Sequence, residues 1–66
     1  MIFCITVTDI TTGRTKEFTG DLASVYNFLD LNSSFEFTVG EINRATVEGE
    51  ILQINAHTTA QITRVL

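Results

Sequence analysis

Hydrophobic positions along this chain follow two different periods, and each period predicts a different kind of element. The segment 21–32 alone has a clear helical period, and its apolar positions share a stripe roughly 100° wide. The positions on this stripe are Leu22, Val25, Tyr26 and Leu29. Asp21 suits the N-cap, because its carboxylate can accept hydrogen bonds from the free N–H groups of the first turn. The pattern therefore predicts one α-helix over about residues 21–31.

A period of two, in which apolar and polar side chains alternate, predicts the strands. The alternating segments are 2–10, 15–19, 35–39, 50–56 and 59–66. A turn around Gly13 joins the first two segments into a β-hairpin. In the first strand, Phe3, Ile5 and Val7 are predicted to face the helix.

Residues 38–49 fit two different structures. Thr38 and Glu41 have the spacing of a capping box, and Gly49 can end a helix, which indicates a short helix. The residues between them are mostly modest or poor helix formers, so we favour a continued strand and a turn. A similar choice arises for 59–66, where threonine and β-branched residues favour a strand over a short helix.

The elements together predict a small α+β fold. We expect an antiparallel sheet of about 4–5 strands in the order ββαβ(β)ββ, with the helix packed on one face. The 66 residues make one domain, and a domain of this size buries only about 60% of its unfolded surface. The lone Cys4 excludes an internal disulfide, and the lone His57 has no cluster to join as a metal ligand. With 44% hydrophobic residues, the chain is therefore expected to gain stability as a homodimer.

Net charge and hydropathy limit the classes of partner that this chain can bind. The net charge is −4, from eight acidic and four basic residues, which argues against non-specific nucleic-acid binding because that binding needs cations to neutralise phosphates. No stretch approaches the roughly 20 apolar residues of a membrane helix, and the apolar start lacks the basic region of a signal peptide. We expect a soluble cytoplasmic protein with a reduced cysteine and no membrane partner. Because the chain starts with Met and has no tag-like residues, we expect a complete small gene product.

The sequence contains no catalytic, metal-binding or cofactor motif. Cys4 and His57 could pair as a nucleophile and its general base, but the sequence supplies no third group to orient them. Glu48 and Glu50 flank Gly49, but a metal would need further ligands. We therefore expect a protein that is not an enzyme and uses no cofactor or metal.

The run Phe37-Thr38-Val39-Gly40-Glu41-Ile42 resembles the opening of many helix-turn-helix domains. The resemblance covers six residues and implies that a second, basic recognition helix should follow. The chain continues instead with the acidic, turn-like run Glu48-Gly49-Glu50. No function follows from the resemblance.

Two apolar residues of the predicted helix lie off its stripe. Phe28 and Leu31 project roughly 120° and 180° away from Leu22. An exposed apolar patch there indicates a contact with a partner. Alternatively, Phe28 packs under a loop and Leu31 folds back as a contact at the helix end. We weigh the two explanations equally for Phe28 and favour the second for Leu31.

The sequence favours a small non-catalytic protein-binding module that docks on a larger protein and modulates or inhibits it. Small proteins of this kind are often encoded by phages or mobile elements, which is an analogy. The candidate protein-binding residues are Asn27, Phe28, Asp30, Leu31, Glu48 and Glu50. One alternative is a dimeric nucleic-acid-binding or transcription-regulating module that uses Arg14, Lys16, Arg44 and Arg64. A second alternative is a structural subunit of a larger assembly that uses its sheet edges.

Overall fold

A computed structural model describes residues 1–66 and shows four antiparallel strands and two helices. In chain order the elements are β1 (Phe3–Asp9), β2 (Thr15–Gly20), α1 (Leu22–Asn32), α2 (Val39–Glu48), β3 (Ile51–Asn55) and β4 (Thr58–Arg64). The predicted α+β class is therefore confirmed, together with the first hairpin, the first helix and the C-terminal strand. The order is ββααββ, with one helix more than the sequence predicted.

The sheet has the strand order β2-β1-β4-β3, so the first and last strands of the chain lie at its centre. Ile5 on β1 lies opposite Phe18 on β2 and Ile62 on β4. Residues directly opposite each other in a sheet point to the same face, so this row points towards the helices. Phe3 and Ile5 are buried and Val7 packs half-buried against the core, which confirms the predicted inward face of the first strand.

The core is small and wholly apolar. Its nine buried residues are Phe3, Ile5, Val25, Leu29, Ile42, Ala45, Ile54, Ala60 and Ile62. The chain exposes 4464 Å², close to the roughly 4,200 Å² expected of a monomer of 7.3 kDa. The exposed area is therefore ordinary for a monomer, and the homodimer stays a prediction.

The prediction of strand and turn over 38–49 is wrong, because this segment forms α2. Both halves of the capping box are present: the Glu41 N–H donates to Thr38 Oγ1 at 3.1 Å, and the Thr38 N–H donates to Glu41 Oε1 at 3.1 Å. At the other end Gly49 has φ +68°, the left-handed conformation that favours glycine. The capped ends and the burial of Ile42 outweigh the weak helix propensity of the residues between them.

The strand predicted at 35–39 is also wrong. This segment is the loop between α1 and α2, and Val39 is the first residue of α2. The loop starts against the sheet edge, where the Ser34 N–H donates to the Ile54 carbonyl of β3 at 2.7 Å. The alternation of Phe35 and Phe37 therefore reflects loop packing rather than strand pairing. Because β3 follows α2, no recognition helix of a helix-turn-helix motif is present.

Gly20 ends β2 where the first turn of α1 approaches closely. A Cβ atom at Gly20 would lie 2.8 Å from Ser24 Cβ, closer than real Cβ contacts allow. We expect Gly20→Ala to destabilise the protein by about 1–3 kcal/mol, because one of the two segments must move. The measurement is urea unfolding of the protein with Gly20 or with Gly20→Ala, each in the wild-type background and in a Ser24→Gly background. Gly20→Ala should cost clearly less when Ser24→Gly has removed the clashing atom, and an equal cost in the two backgrounds would contradict this explanation.

Asp21 is the N-cap of α1 and gives it a pH-dependent start. The backbone N–H of Ser24 donates to Asp21 Oδ1 at 2.9 Å, and this hydrogen bond lowers the pKa of the Asp21 carboxyl below its ordinary value. A lowered pKa stabilises the folded state above the ordinary Asp pKa of about 3.9, and this contribution is lost as the pH falls through the lowered pKa. Asp21→Asn keeps the cap without the charge. The difference in unfolding free energy between wild type and Asp21→Asn should therefore shrink as the pH falls below the ordinary Asp pKa, whereas a pH-independent difference would contradict the assignment.

Candidate functional site

The two helices lie side by side on the same face of the sheet but make few contacts with each other. Helix α2 packs mainly on β4, whereas α1 contacts β1, β2 and β3. The space between the helices is a shallow, almost entirely apolar groove. The residues lining it are Leu22, Ala23, Tyr26, Asn27 and Val39. We call this surface, with its extension described below, the inter-helix groove.

The groove leaves large apolar side chains in contact with water. Leu22 and Tyr26 belong to the predicted inward stripe of α1, yet they are 39% and 38% exposed. Val39, at the start of α2, is 53% exposed. Only Val25 and Leu29 of the stripe are buried, because the sheet covers one side of the stripe and nothing covers the side towards α2.

The groove continues past Tyr26 into a pocket of about 260 Å³ below the α1–α2 loop. Its lining residues are Tyr26, Leu29, Asp30, Phe35, Glu36, Phe37, Thr38 and Ile42. Phe35 is exposed, and Phe37 packs half-buried against the core. The groove thus runs from Leu22 to Phe35, with an apolar part between the helices and a pocket of mixed polar and apolar lining.

The electrostatic character of the groove is negative. Two carboxylates, Asp30 and Glu36, line the pocket, and no basic side chain lines either part of the groove. The one basic residue of the helical layer, Arg44, lies 3.7 Å from Glu50 in an exposed ion pair. No positive charge therefore offsets the two carboxylates among the groove's lining residues.

The structure separates the protein-binding residues predicted on α1. Asn27 and Asp30 line the groove. Phe28 faces the other way: its ring packs edge-on against Phe18 of β2, with ring centroids 4.5 Å apart, and it is half-buried. Leu31 is 84% exposed, so the favoured expectation that it folds back is wrong. It stays exposed because Ser33 caps the helix, donating its N–H to the Leu29 carbonyl.

The two glutamates of the predicted site, Glu48 and Glu50, lie away from the groove. Glu48 ends α2 and Glu50 precedes β3, so both are at the start of that strand. The end of α1 lies at the other end of β3, where Asn55 Nδ2 donates to the Asn32 carbonyl at 3.5 Å. The structure therefore does not bring Glu48 and Glu50 together with Asp30.

The four basic residues of the nucleic-acid alternative do not converge within one chain. Arg14 lies opposite Asp9, whose N–H donates to the Arg14 carbonyl, and Lys16 follows on β2. Arg64 lies opposite Phe3, at the other end of β1 and about 20 Å away. Arg44 is on α2 with Glu50 beside it. A continuous basic surface would require a second chain.

The face of the sheet opposite the helices is open but hydroxyl-rich. The residues that share this face include Cys4, Thr6, Thr8, Thr15, Glu17, Thr19, Ile51, Gln53, Thr59, Gln61 and Thr63. Six of the eleven threonines are therefore here, where their hydroxyls can bond to water. This placement explains the threonine-rich composition and makes the face less apolar than the groove.

The edge strand β3 is blocked at both ends. The Ile54 carbonyl accepts from the Ser34 N–H, and the Glu50 N–H donates to the Ala45 carbonyl at 3.0 Å. An incoming strand needs a row of free backbone groups, and these two are already used. The other edge, β2, carries Lys16 and Glu17, the kind of charged side chains that discourage edge pairing.

The structure keeps the candidate nucleophile Cys4 and the candidate base His57 apart. Cys4 and His57 are about 20 Å apart, since the Ile10 N–H donates to the His57 carbonyl at the far end of β1. No group of three or more potential metal ligands occurs. No helix has the length and hydropathy needed to cross a bilayer.

Twelve residues line the groove, and the sequence-based binding residues included only Asn27 and Asp30 of them; Phe35, Glu36 and Val39 are among those missed. The capping-box spacing of Thr38 and Glu41 was the available signal, because a helix at 39–48 places Val39 beside α1. No known protein family, no curated protein and no solved structure matches this chain. The geometry of the groove is therefore the basis for any statement about function.

Proposed function

We propose that this chain is a non-catalytic protein-binding module that docks on a larger protein through the inter-helix groove and modulates or inhibits it. The observation behind the proposal is the groove itself, where Leu22, Tyr26 and Val39 are half-exposed next to one another. Contiguous exposed apolar surface with a polar rim is typical of interaction sites in soluble proteins. Among the surface depressions of the chain, the part of this groove between the two helices has the most apolar lining.

The cellular setting is part of the same proposal. The module acts in the cytoplasm, where the unpaired, half-exposed Cys4 stays reduced. It is a homodimer, because a core of nine buried residues is small for independent stability. Light scattering tests this state against the monomer mass of 7.3 kDa. Its small size and acidity fit a phage or mobile-element protein by analogy only.

The test is affinity capture from a lysate of the host cell, with and without nuclease, using wild type and two variants. Val39→Asn places an uncharged amide in the groove at the first helical position of α2. Leaving such a group buried without a partner costs roughly 1–3 kcal/mol, so partner affinity should fall by about 5- to 150-fold. Val47→Asn is the matched control, since Val47 is an exposed valine of the same helix and does not line the groove.

Three results are informative. A single protein captured by wild type and Val47→Asn, lost with Val39→Asn and unaffected by nuclease, supports the proposal. Capture that persists with Val39→Asn excludes the groove as the docking surface. Partners that disappear with nuclease would instead favour the nucleic-acid alternative and direct mutagenesis to Arg14, Lys16, Arg44 and Arg64.

A further inference from the structure

We infer that the occupant of the inter-helix groove is a basic amphipathic α-helix of the partner, with apolar residues on one face and Lys or Arg beside them. The inference rests on the proposed function and specifies the chemistry of the partner. Two properties of the groove support it: the charge of its rim and the state of its backbone groups.

The charge of the rim selects the flanking residues of the partner. Asp30 and Glu36 line the pocket, both are exposed, and neither forms an ion pair. An apolar segment that enters the groove brings its neighbouring residues close to these carboxylates. Complementary charge steers the encounter and suppresses wrong partners, so Lys or Arg is favoured and Asp or Glu is disfavoured. The overall charge of −4 acts in the same direction.

The backbone of the groove walls selects a helix rather than a strand. The walls of the apolar part of the groove are the helices α1 and α2, whose caps Asp21 and Thr38 each accept one N–H of the first turn. The backbone groups of a helix point along its axis, so these walls present side chains to the groove and no strand-like row of donors and acceptors. A segment that loses water in such a groove must satisfy its own backbone groups, which a helix does and an isolated strand does not. Docking of an amphipathic helix by its apolar face is an established mode of recognition.

The test uses two synthetic probes, because the natural partner is unidentified. One is a fluorescein-labelled 18-residue peptide of Leu and Lys with Leu at helical spacing, and the other replaces every Lys with Glu. Fluorescence anisotropy gives the affinity of each at low and moderate salt. We expect the Leu/Lys peptide to bind at least about tenfold more tightly than the Leu/Glu peptide, with a preference that weakens as salt screens the charges. Val39→Asn should weaken binding of the Leu/Lys peptide.

Two double variants with the same net charge distinguish the effect of the groove carboxylates on peptide preference from the effect of overall charge. Asp30→Asn with Glu36→Gln neutralises the two groove carboxylates, whereas Glu17→Gln with Glu48→Gln makes the same change of net charge outside the groove. The first variant should lose most of the Lys-over-Glu preference, and the second should keep it. Equal loss in both would show that only net charge matters and overturn the inference.

Two further results separate the inference from the proposed function. If both peptides bind equally well and both are weakened by Val39→Asn, the groove binds apolar helices without charge selection. That result overturns the inference and leaves the proposed function standing. If neither peptide binds, the inference is wrong, and the capture experiment with Val39→Asn still decides the proposed function independently.

Discussion

Ile5→Ala is expected to remove most of the free energy of unfolding of this protein at 25 °C. Ile5 has no exposed surface and lies in a central strand between Phe18 and Ile62. Truncating a buried isoleucine to alanine costs about 2–5 kcal/mol, and a single core in a domain this small supplies roughly 3–5 kcal/mol of stability. Circular dichroism with urea unfolding gives the free energy of unfolding for the variant and the wild type.

Ile51→Ala is the matched control for this prediction. Ile51 is the same residue type in the same sheet, but it points to the open face and is 62% exposed. Its truncation should change the free energy of unfolding by less than about 1 kcal/mol, because little surface is removed from a packed environment. Equal losses from Ile5→Ala and Ile51→Ala would contradict the assignment of the two faces of the sheet.

Phe28→Asp is expected to have the second large effect on folding. The Phe28 ring packs against Phe18 and the core, so an aspartate there would lose this packing and place a charge in an apolar environment. We expect a loss of at least about 3 kcal/mol, which is most of the stability that a core of this size supplies. A helix boundary effect is excluded as the cause, because the residue is in the middle of α1.

Leu31→Asp provides the comparison on the same helix. Leu31 is almost fully exposed, so the substitution should change stability by only about 1 kcal/mol, the cost of an acidic, weaker helix former in the last turn of α1. A folded Phe28→Asp variant would show that the Phe18–Phe28 contact contributes little, and it would return Phe28 to the candidate binding residues. If the expected loss is observed, Phe28 acts in the fold and is unsuitable for testing binding.

The parts of the fold that could be predicted from sequence are those with a local signal. The stripe on α1 and the alternation of Phe3, Ile5 and Val7 are repeating patterns within one element, and the structure has both elements. The second helix was missed because its own residues have weak propensity. What decides it is tertiary, namely the burial of Ile42 and Ala45 against the sheet, together with caps at both ends.

The candidate site, like the fold, was predictable only where a local sequence pattern determines it. Asn27 and Asp30 were predicted on the correct helix, but the groove they line exists only because α2 lies beside α1. The position of Phe28 depends on Phe18, which lies ten residues earlier on strand β2, so helical periodicity alone could not assign Phe28 to the core. Helical periodicity also could not predict that Leu22 and Tyr26 are exposed. It identifies the apolar face of a helix, but it does not tell whether another element covers that face.

Site-specific photo-crosslinking in the host cell tests the central claim most directly. A benzophenone amino acid replaces Tyr26, which lines the groove, or Thr63, which is exposed on the open face of the sheet. We predict that irradiation links the chain to one discrete protein from position 26 and gives no such product from position 63. Crosslinks formed from position 63 and absent from position 26 would show that the partner docks on the sheet and would contradict the assignment of the inter-helix groove.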